Sequence, residues 1–190
     1  MGKGAGKTAG GTLALIGFMG AGKSTVGPLL AERLGQRYVD LDREIEEEAG
    51  KSVKEIFEEE GESGFRERER KALLRELERG GGVISCGGGV VLRDDNLEAL
   101  RDKSRIFYLR ISPQKAVERL AGVEDRPLLQ GGEVRERVSA LMEERAERYL
   151  EAAHEVIEAD EMSAEEIAEE IEARWRKFES GRRGEITGSS

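Results

Sequence analysis

The stretch "TLALIGFMGAGKSTVG", Thr12–Gly27, decides the fold. "TLALI" is a short apolar run and reads as a buried strand. Gly17, Gly22, Lys23 and Ser24 then spell G-x-x-x-x-G-K-[ST], and "KSTVGPLLAERLG" reads as a helix closed by Gly35. A glycine-rich turn between strand and helix points backbone N–H groups and the helix N-terminus at one spot, which suits a polyphosphate. In that setting Lys23 reaches the outer phosphates and Ser24 is a ligand for Mg²⁺. Pro28 sits inside the helix, where it removes a backbone hydrogen bond, so a kink or a late-starting helix is expected.

Nearly the same five residues occur earlier, as "GAGKT" at 4–8. That copy has Met1 where the motif needs its first glycine, and no strand precedes it. Residues 1–11 carry almost no apolar content and read as a disordered tail, as do residues 179–190. One domain is expected over 12–178.

Downstream, short apolar runs alternate with helical patterns. "RYVDLD", "VISCGGG", "SRIFYLRI" and "HEVIEA" read as strands. "REIEEEAG", "SVKEIFEEEG", "FRERERKALLRELERGG", "DDNLEALRD", "SPQKAVERLAG", "EVRERVSALMEERAERYLEAA" and "SAEEIAEEIEARWRKF" read as helices. Ser112 is placed to cap one helix, with Pro113 in its first turn, and Ser163 with Glu166 spells a capping box. With "TLALI" this makes an α/β protein, three-layer α/β/α, around a central parallel five-stranded sheet. Ligands of such sheets bind outside the carboxyl ends of the strands.

The formal net charge is -9, with 37% charged residues. An acidic chain repels nucleic acid and anionic membrane over most of its surface, so neither is expected as a partner. Cys86 is the single cysteine, so no intrachain disulfide can form. No apolar run approaches the roughly 20 residues of a membrane span. A cytoplasmic location is expected, with the plastid stroma as the alternative.

Four further stretches carry candidate chemistry. Asp40 and Asp42 are expected to end the second strand and to project from one face. One carboxylate then holds Mg²⁺-bound water, and the other orients an acceptor hydroxyl. "GESGFRERE" puts Phe65, Arg66 and Glu69 on one helix. The three glycines Gly87–Gly89 suit either a plain turn or a close backbone approach to a ligand. "EDRPLLQGG" lacks a helical pattern and reads as a mobile lid at about 122–132, with Arg126 swinging over the phosphates. Arg119 precedes it, and Arg145 and Tyr149 share a helical face.

These motifs occur in the order and approximate spacing of shikimate kinase. The combination of the phosphate loop with "VDLDREIE", "GESGFRERE", "CGGG" and "DRPLL" resembles that family over about 12–172. The resemblance implies a P-loop kinase fold with a helical substrate-binding insert and a lid. It implies transfer of the γ-phosphate of ATP to the 3-hydroxyl of shikimate, with Mg²⁺, by a monomer. Gly20, Ala21, Gly22, Lys23, Ser24, Thr25, Arg119 and Arg126 then bind ATP, with Arg119 stacked on adenine. Ser24 and, through water, Asp40 hold the metal, and Ser85 lies near it. Asp42, Arg66, Gly88, Gly89 and Arg145 bind shikimate, and Lys23, Asp42 and Arg126 are catalytic. His154 and Cys86 have no expected role. A gluconate kinase would share the loop without the paired arginines. A non-catalytic nucleotide-binding regulatory module would lose Lys23, Asp42 or the arginines, all of which are present.

Overall fold

The computed structural model describes residues 11–121 and 134–187. Five strands, β1 (Thr12–Ile16), β2 (Tyr38–Asp40), β3 (Gly82–Ser85), β4 (Ser104–Arg110) and β5 (Glu155–Glu158), form one sheet in the order β2-β3-β1-β4-β5. Every pairing is parallel, with Leu13 opposite Val83 on one side and Arg105 on the other. The helices are α1 (Lys23–Leu34), α2 (Leu41–Ala49), α3 (Val53–Arg79), α4 (Asp94–Lys103), α5 (Pro113–Leu120), α6 (Val134–Ala152) and α7 (Ala164–Thr187). They flank the sheet: α1 packs with α7, and α4 packs with α3 and α6.

The central strands are buried on both faces. Leu13, Ala14, Leu15, Ile16, Val83, Ile84, Ile106 and Phe107 have no exposed surface. That is why they read as continuous aliphatic runs rather than as an alternating pattern. Because all five strands run the same way, their carboxyl ends meet at one edge, and the loops that follow β1, β2 and β3 share it.

Local signals set most helix ends. The Ser112 hydroxyl accepts from the Lys115 amide at 3.2 Å, and Ser163 and Glu166 form both bonds of a capping box. Ser52 and Glu55 form a second box at the start of α3. Two helices were expected around Gly61, and α3 breaks there into two helical segments, since Gly61 at φ 71° leaves helical geometry. The last helix runs to Thr187, past the boundary expected at 178. Pro28 neither delays nor ends α1. The amide it lacks would have bonded the Ser24 carbonyl, and Ser24 is exposed, so water can serve that oxygen. His154 has a structural place, its Nδ1 accepting from the Ile106 amide at 3.0 Å. No helix among the described residues is long and apolar enough to cross a membrane.

Trp175 anchors α7, with 4% of its surface exposed. Trp175→Ala is expected to lower stability by about 3–5 kcal/mol, as for a buried aromatic. A urea midpoint unchanged from the parent protein would contradict this packing role.

Candidate active site

Beyond β1 the chain turns sharply. At Gly17, φ is 147°, and a Cβ there would lie 2.6 Å from the Leu109 carbonyl oxygen. Gly20 and Gly22 also take positive φ, at 82° and 95°. Side chains at these three positions would be strained, so the glycines are what allow the loop to close before α1. The Ala21 amide bonds the Phe18 carbonyl at 3.1 Å. Lys23 folds across the loop, donating to the carbonyls of Gly17 at 2.7 Å and Phe18 at 3.0 Å. The first-turn amides of a helix have no acceptor within it, so this end favours an anion. The Thr25 amide bonds the Gly22 carbonyl at 3.0 Å.

The Ser24 hydroxyl donates to Asp40 Oδ2 at 2.6 Å. A hydroxyl and a carboxylate this close fit Mg²⁺, which prefers oxygen ligands and keeps several waters. Asp40 ends β2 and caps α2: its Oδ1 accepts from the amides of Asp42 at 3.1 Å and Arg43 at 3.4 Å. This corrects the expected geometry of the acidic pair. An aspartate is a strong helix cap, so the helix begins at Leu41. Asp42 therefore leaves from the first turn of α2, not from the strand, and its carboxylate enters a different cavity from that of Asp40.

That cavity is lined by Asp42, Arg66, Glu69, Gly88, Gly89 and Arg145, with an apolar wall that includes Met19 and Phe57. The two arginines are not surface residues: Arg66 is 9% exposed and Arg145 2%. Arg66 is held by Glu69 at 2.9 Å and by Glu62 at 3.1 Å. Arg145 donates to the Gly88 carbonyl at 3.2 Å, and the Tyr149 hydroxyl donates to the same oxygen. The Arg145 Nε and the Glu69 Oε1 are buried with no hydrogen-bond partner.

The glycine run forms a turn, with the Val90 amide bonded to the Gly87 carbonyl at 3.1 Å, and its backbone passes close to charged side chains. A Cβ on Gly87 would lie 2.3 Å from Glu69 Oε1 and 2.8 Å from Asp42 Oδ1. A Cβ on Gly89 would lie 2.2 Å from the Arg66 guanidinium. Gly88 sits 3.5 Å from the Met19 amide by the same measure, which joins the cavity to the phosphate loop.

Burial pushes the Glu69 carboxyl up to about 7, against the pull of Arg66, and the charge of Asp42 adds to the rise. Burial works against the Arg66 charge, but Glu69 and Glu62 outweigh it and raise its pKa. Burial also raises Tyr149 and Cys86.

Arg119 lies against the phosphate loop, donating to the carbonyls of Gly20 at 3.1 Å and Ala159 at 3.2 Å. Arg126 and the stretch 122–132 lie outside the described residues, as does the early "GAGKT" copy. Ser85 is buried and donates to the Lys23 carbonyl at 3.0 Å, so it braces the loop from below. Sequence reasoning missed Tyr38, whose hydroxyl reaches both Asp40 Oδ2 and Ser85 Oγ at 3.2 Å. Burial first, and then the Asp40 charge, push it up to about 12. Its place two residues before Asp40 was the available signal, since period-two geometry puts both on one face of β2.

The arrangement sets a glycine loop with its lysine, the Ser24–Asp40 hydroxyl–carboxylate pair and a cavity with two arginines and carboxylates side by side. The family model for shikimate kinase matches residues 19–176. The shikimate kinase of Symbiobacterium thermophilum is 42% identical over 174 residues, covering 90% of this chain and 99% of that protein. A structure of shikimate kinase from Acinetobacter baumannii in complex with shikimate superposes with a TM-score of 0.84 at 37% identity, over 86% of this chain and 91% of that one. A gluconokinase from Sinorhizobium meliloti superposes with a TM-score of 0.56 at 16% identity, over 92% of this chain and 97% of that one, which shows the fold alone.

Glu69 generates a pH prediction. Its folded pKa lies above the ordinary 4.5, so burial disfavours the charged form. Its contribution to stability is full below about pH 4.5 and is lost as pH rises through about 7. The stability of the parent protein minus that of Glu69→Gln should therefore fall between those limits and level off above about pH 8. A difference that stays constant across that range, by urea unfolding, would contradict it.

Proposed function

The chain belongs to the shikimate kinase family, and from that premise we propose how its own residues carry the ATP-dependent phosphorylation of the 3-hydroxyl of shikimate. One observation carries the reading. Two buried arginines and Asp42 face a single cavity whose wall is continuous with the phosphate loop.

Arg66 and Arg145 grip the substrate carboxylate, since a guanidinium fork matches a carboxylate and is weakly hydrated. Glu69 and Glu62 hold the Arg66 fork, and the Gly88 carbonyl holds Arg145. The backbone of Gly88 and Gly89 lets the ring lie close, and the apolar side of the cavity takes its carbon face. Asp42 orients the 3-hydroxyl and accepts its proton as the oxygen attacks. ATP supplies the phosphoryl group, and Mg²⁺ neutralises charge on its phosphates. The turn Gly20–Ser24 cradles those phosphates through backbone N–H groups, with Thr25 next to it, and Lys23 leaves its own carbonyls to reach the outermost one. Ser24 and Asp40 would hold the metal, Asp40 through water. Arg119 lies where it can cover the nucleotide base, and Arg126 is assigned to the transferring phosphate on the family resemblance.

Positioning and charge neutralisation do most of the work in phosphoryl transfer, so Asp42 need not be a strong base. Action as a monomer is assigned on the family resemblance. Both substrates are anions, and Lys23, Arg66, Arg119 and Arg145 gather positive charge on a chain whose net charge is -9. We place the enzyme in the cytoplasm.

The paired arginines separate this reading from a kinase for an uncharged or differently charged sugar. Arg66→Ala is expected to raise KM for shikimate by about 10–100-fold, as for loss of a charged hydrogen bond, and KM for ATP by less than about twofold. Equal effects on both substrates would contradict the assignment. Asp42→Asn is expected to lower kcat by about 10²–10⁴-fold in a coupled ADP-release assay. ADP release that does not depend on shikimate would overturn the substrate.

A further inference from the structure

One hydroxyl beside the metal pair is not part of any function described so far. Tyr38 sits on β2, and its ring lies against α1 at Gly27. A Cβ on Gly27 would lie 2.2 Å from Tyr38 Cε2 and 2.9 Å from Ser85 Oγ. The bare backbone of Gly27 is thus what admits the ring between the first turns of α1 and the sheet. From there the Tyr38 hydroxyl reaches Asp40 Oδ2 and Ser85 Oγ, each at 3.2 Å.

Counting protons fixes the direction of these bonds. Ser85 spends its single proton on the Lys23 carbonyl at 3.0 Å, so toward Tyr38 it can only accept. Tyr38 therefore donates, and its two acceptors are a neutral hydroxyl and a carboxylate at equal distance. The charged acceptor is the stronger one. Asp40 is then held on all sides: Oδ1 by the amides of Asp42 and Arg43, Oδ2 by Ser24 and Tyr38. The helix amides fix the position of the carboxylate group, and the Tyr38 donor fixes its rotation. The oxygen that meets the metal's water is thereby kept beside the Ser24 hydroxyl.

We propose that Tyr38 is a positioning residue for the metal pair, its hydroxyl donating to Asp40 Oδ2 and so fixing that carboxylate against Ser24. The inference rests on the reading of Ser24 and Asp40 as the Mg²⁺ pair. It goes beyond that reading because Tyr38 has no part in it and acts through Asp40. The ring alone would fill the space beside Gly27, so the inference concerns the hydroxyl oxygen.

The test is Mn²⁺ binding to the full chain with ADP, followed by electron paramagnetic resonance of free Mn²⁺, in the parent protein, Tyr38→Phe and Ser24→Ala. Tyr38→Phe keeps the ring and is expected to weaken Mn²⁺ binding by about 3–10-fold, less than the full worth of a hydrogen bond to a carboxylate because it acts on the metal only through Asp40. Thermal unfolding should stay close to the parent protein. In turnover, kcat should fall at limiting Mg²⁺ and recover at saturating Mg²⁺, with KM for shikimate unchanged. A merely structural role would lower thermal stability and leave the Mg²⁺ dependence alone. If Ser24→Ala weakens Mn²⁺ binding and Tyr38→Phe does not, the inference fails while the metal site stands. If Ser24→Ala also binds Mn²⁺ as the parent protein does, the metal pair fails and the inference with it.

Discussion

Charge of both signs converges on a strip of backbone that has no side chains. Gly87–Gly89 follow β3 at the carboxyl edge of the sheet, and there Glu69, Asp42 and Arg66 come closer to the main chain than any Cβ would allow. The cavity exists because those positions are glycine. A buried guanidinium is tolerated only when carboxylates or carbonyls satisfy it, and each of the two here has such a partner. The remaining unpaired atoms, Arg145 Nε and Glu69 Oε1, lie within the same group of residues, where a polar ligand can complete them.

The parallel sheet is what brings this strip to the phosphate loop. β1 lies between β3 and β4, so the loop after β1 and the glycines after β3 are neighbours at one edge. β2 adds Asp40 on the far side of β3, and α2 starts at once and carries Asp42 into the cavity. Two carboxylates two residues apart thereby serve two places. Asp40 faces the loop hydroxyl of Ser24, and Asp42 faces the arginines. The capping bond from the Asp42 amide to Asp40 Oδ1 joins the first turn of α2 to the end of β2.

Much of this was legible in the sequence. The phosphate loop, the strand order along the chain and the helix caps at Ser112 and Ser163 each rest on a local signal with one physical meaning. Arg66, Arg145 and the glycine run were legible as a set, although each alone reads as an ordinary surface or turn residue. Other features were hidden by tertiary context. "RYVDLD" gave no sign that its aspartate would stop the strand, because the same residue type suits a strand end and a helix cap. Tyr38 passed without notice, and its hydroxyl acquires a role only when Gly27 of the preceding helix makes room. Ser85 was expected near the metal, and its buried hydroxyl donates to the Lys23 carbonyl, a contact that the sequence did not signal. Likewise α7 continues into a stretch whose composition suggested a tail.

The most direct measurement is a crystal structure of the full chain with shikimate, ADP, Mg²⁺ and a planar fluoride mimic of the transferring phosphoryl group. The shikimate carboxylate should lie on Arg66 and Arg145, with its 3-hydroxyl between Asp42 and the mimic and Lys23 turned from its own loop toward that mimic. A carboxylate bound away from both arginines, or an acceptor hydroxyl out of reach of Asp42, would contradict the account.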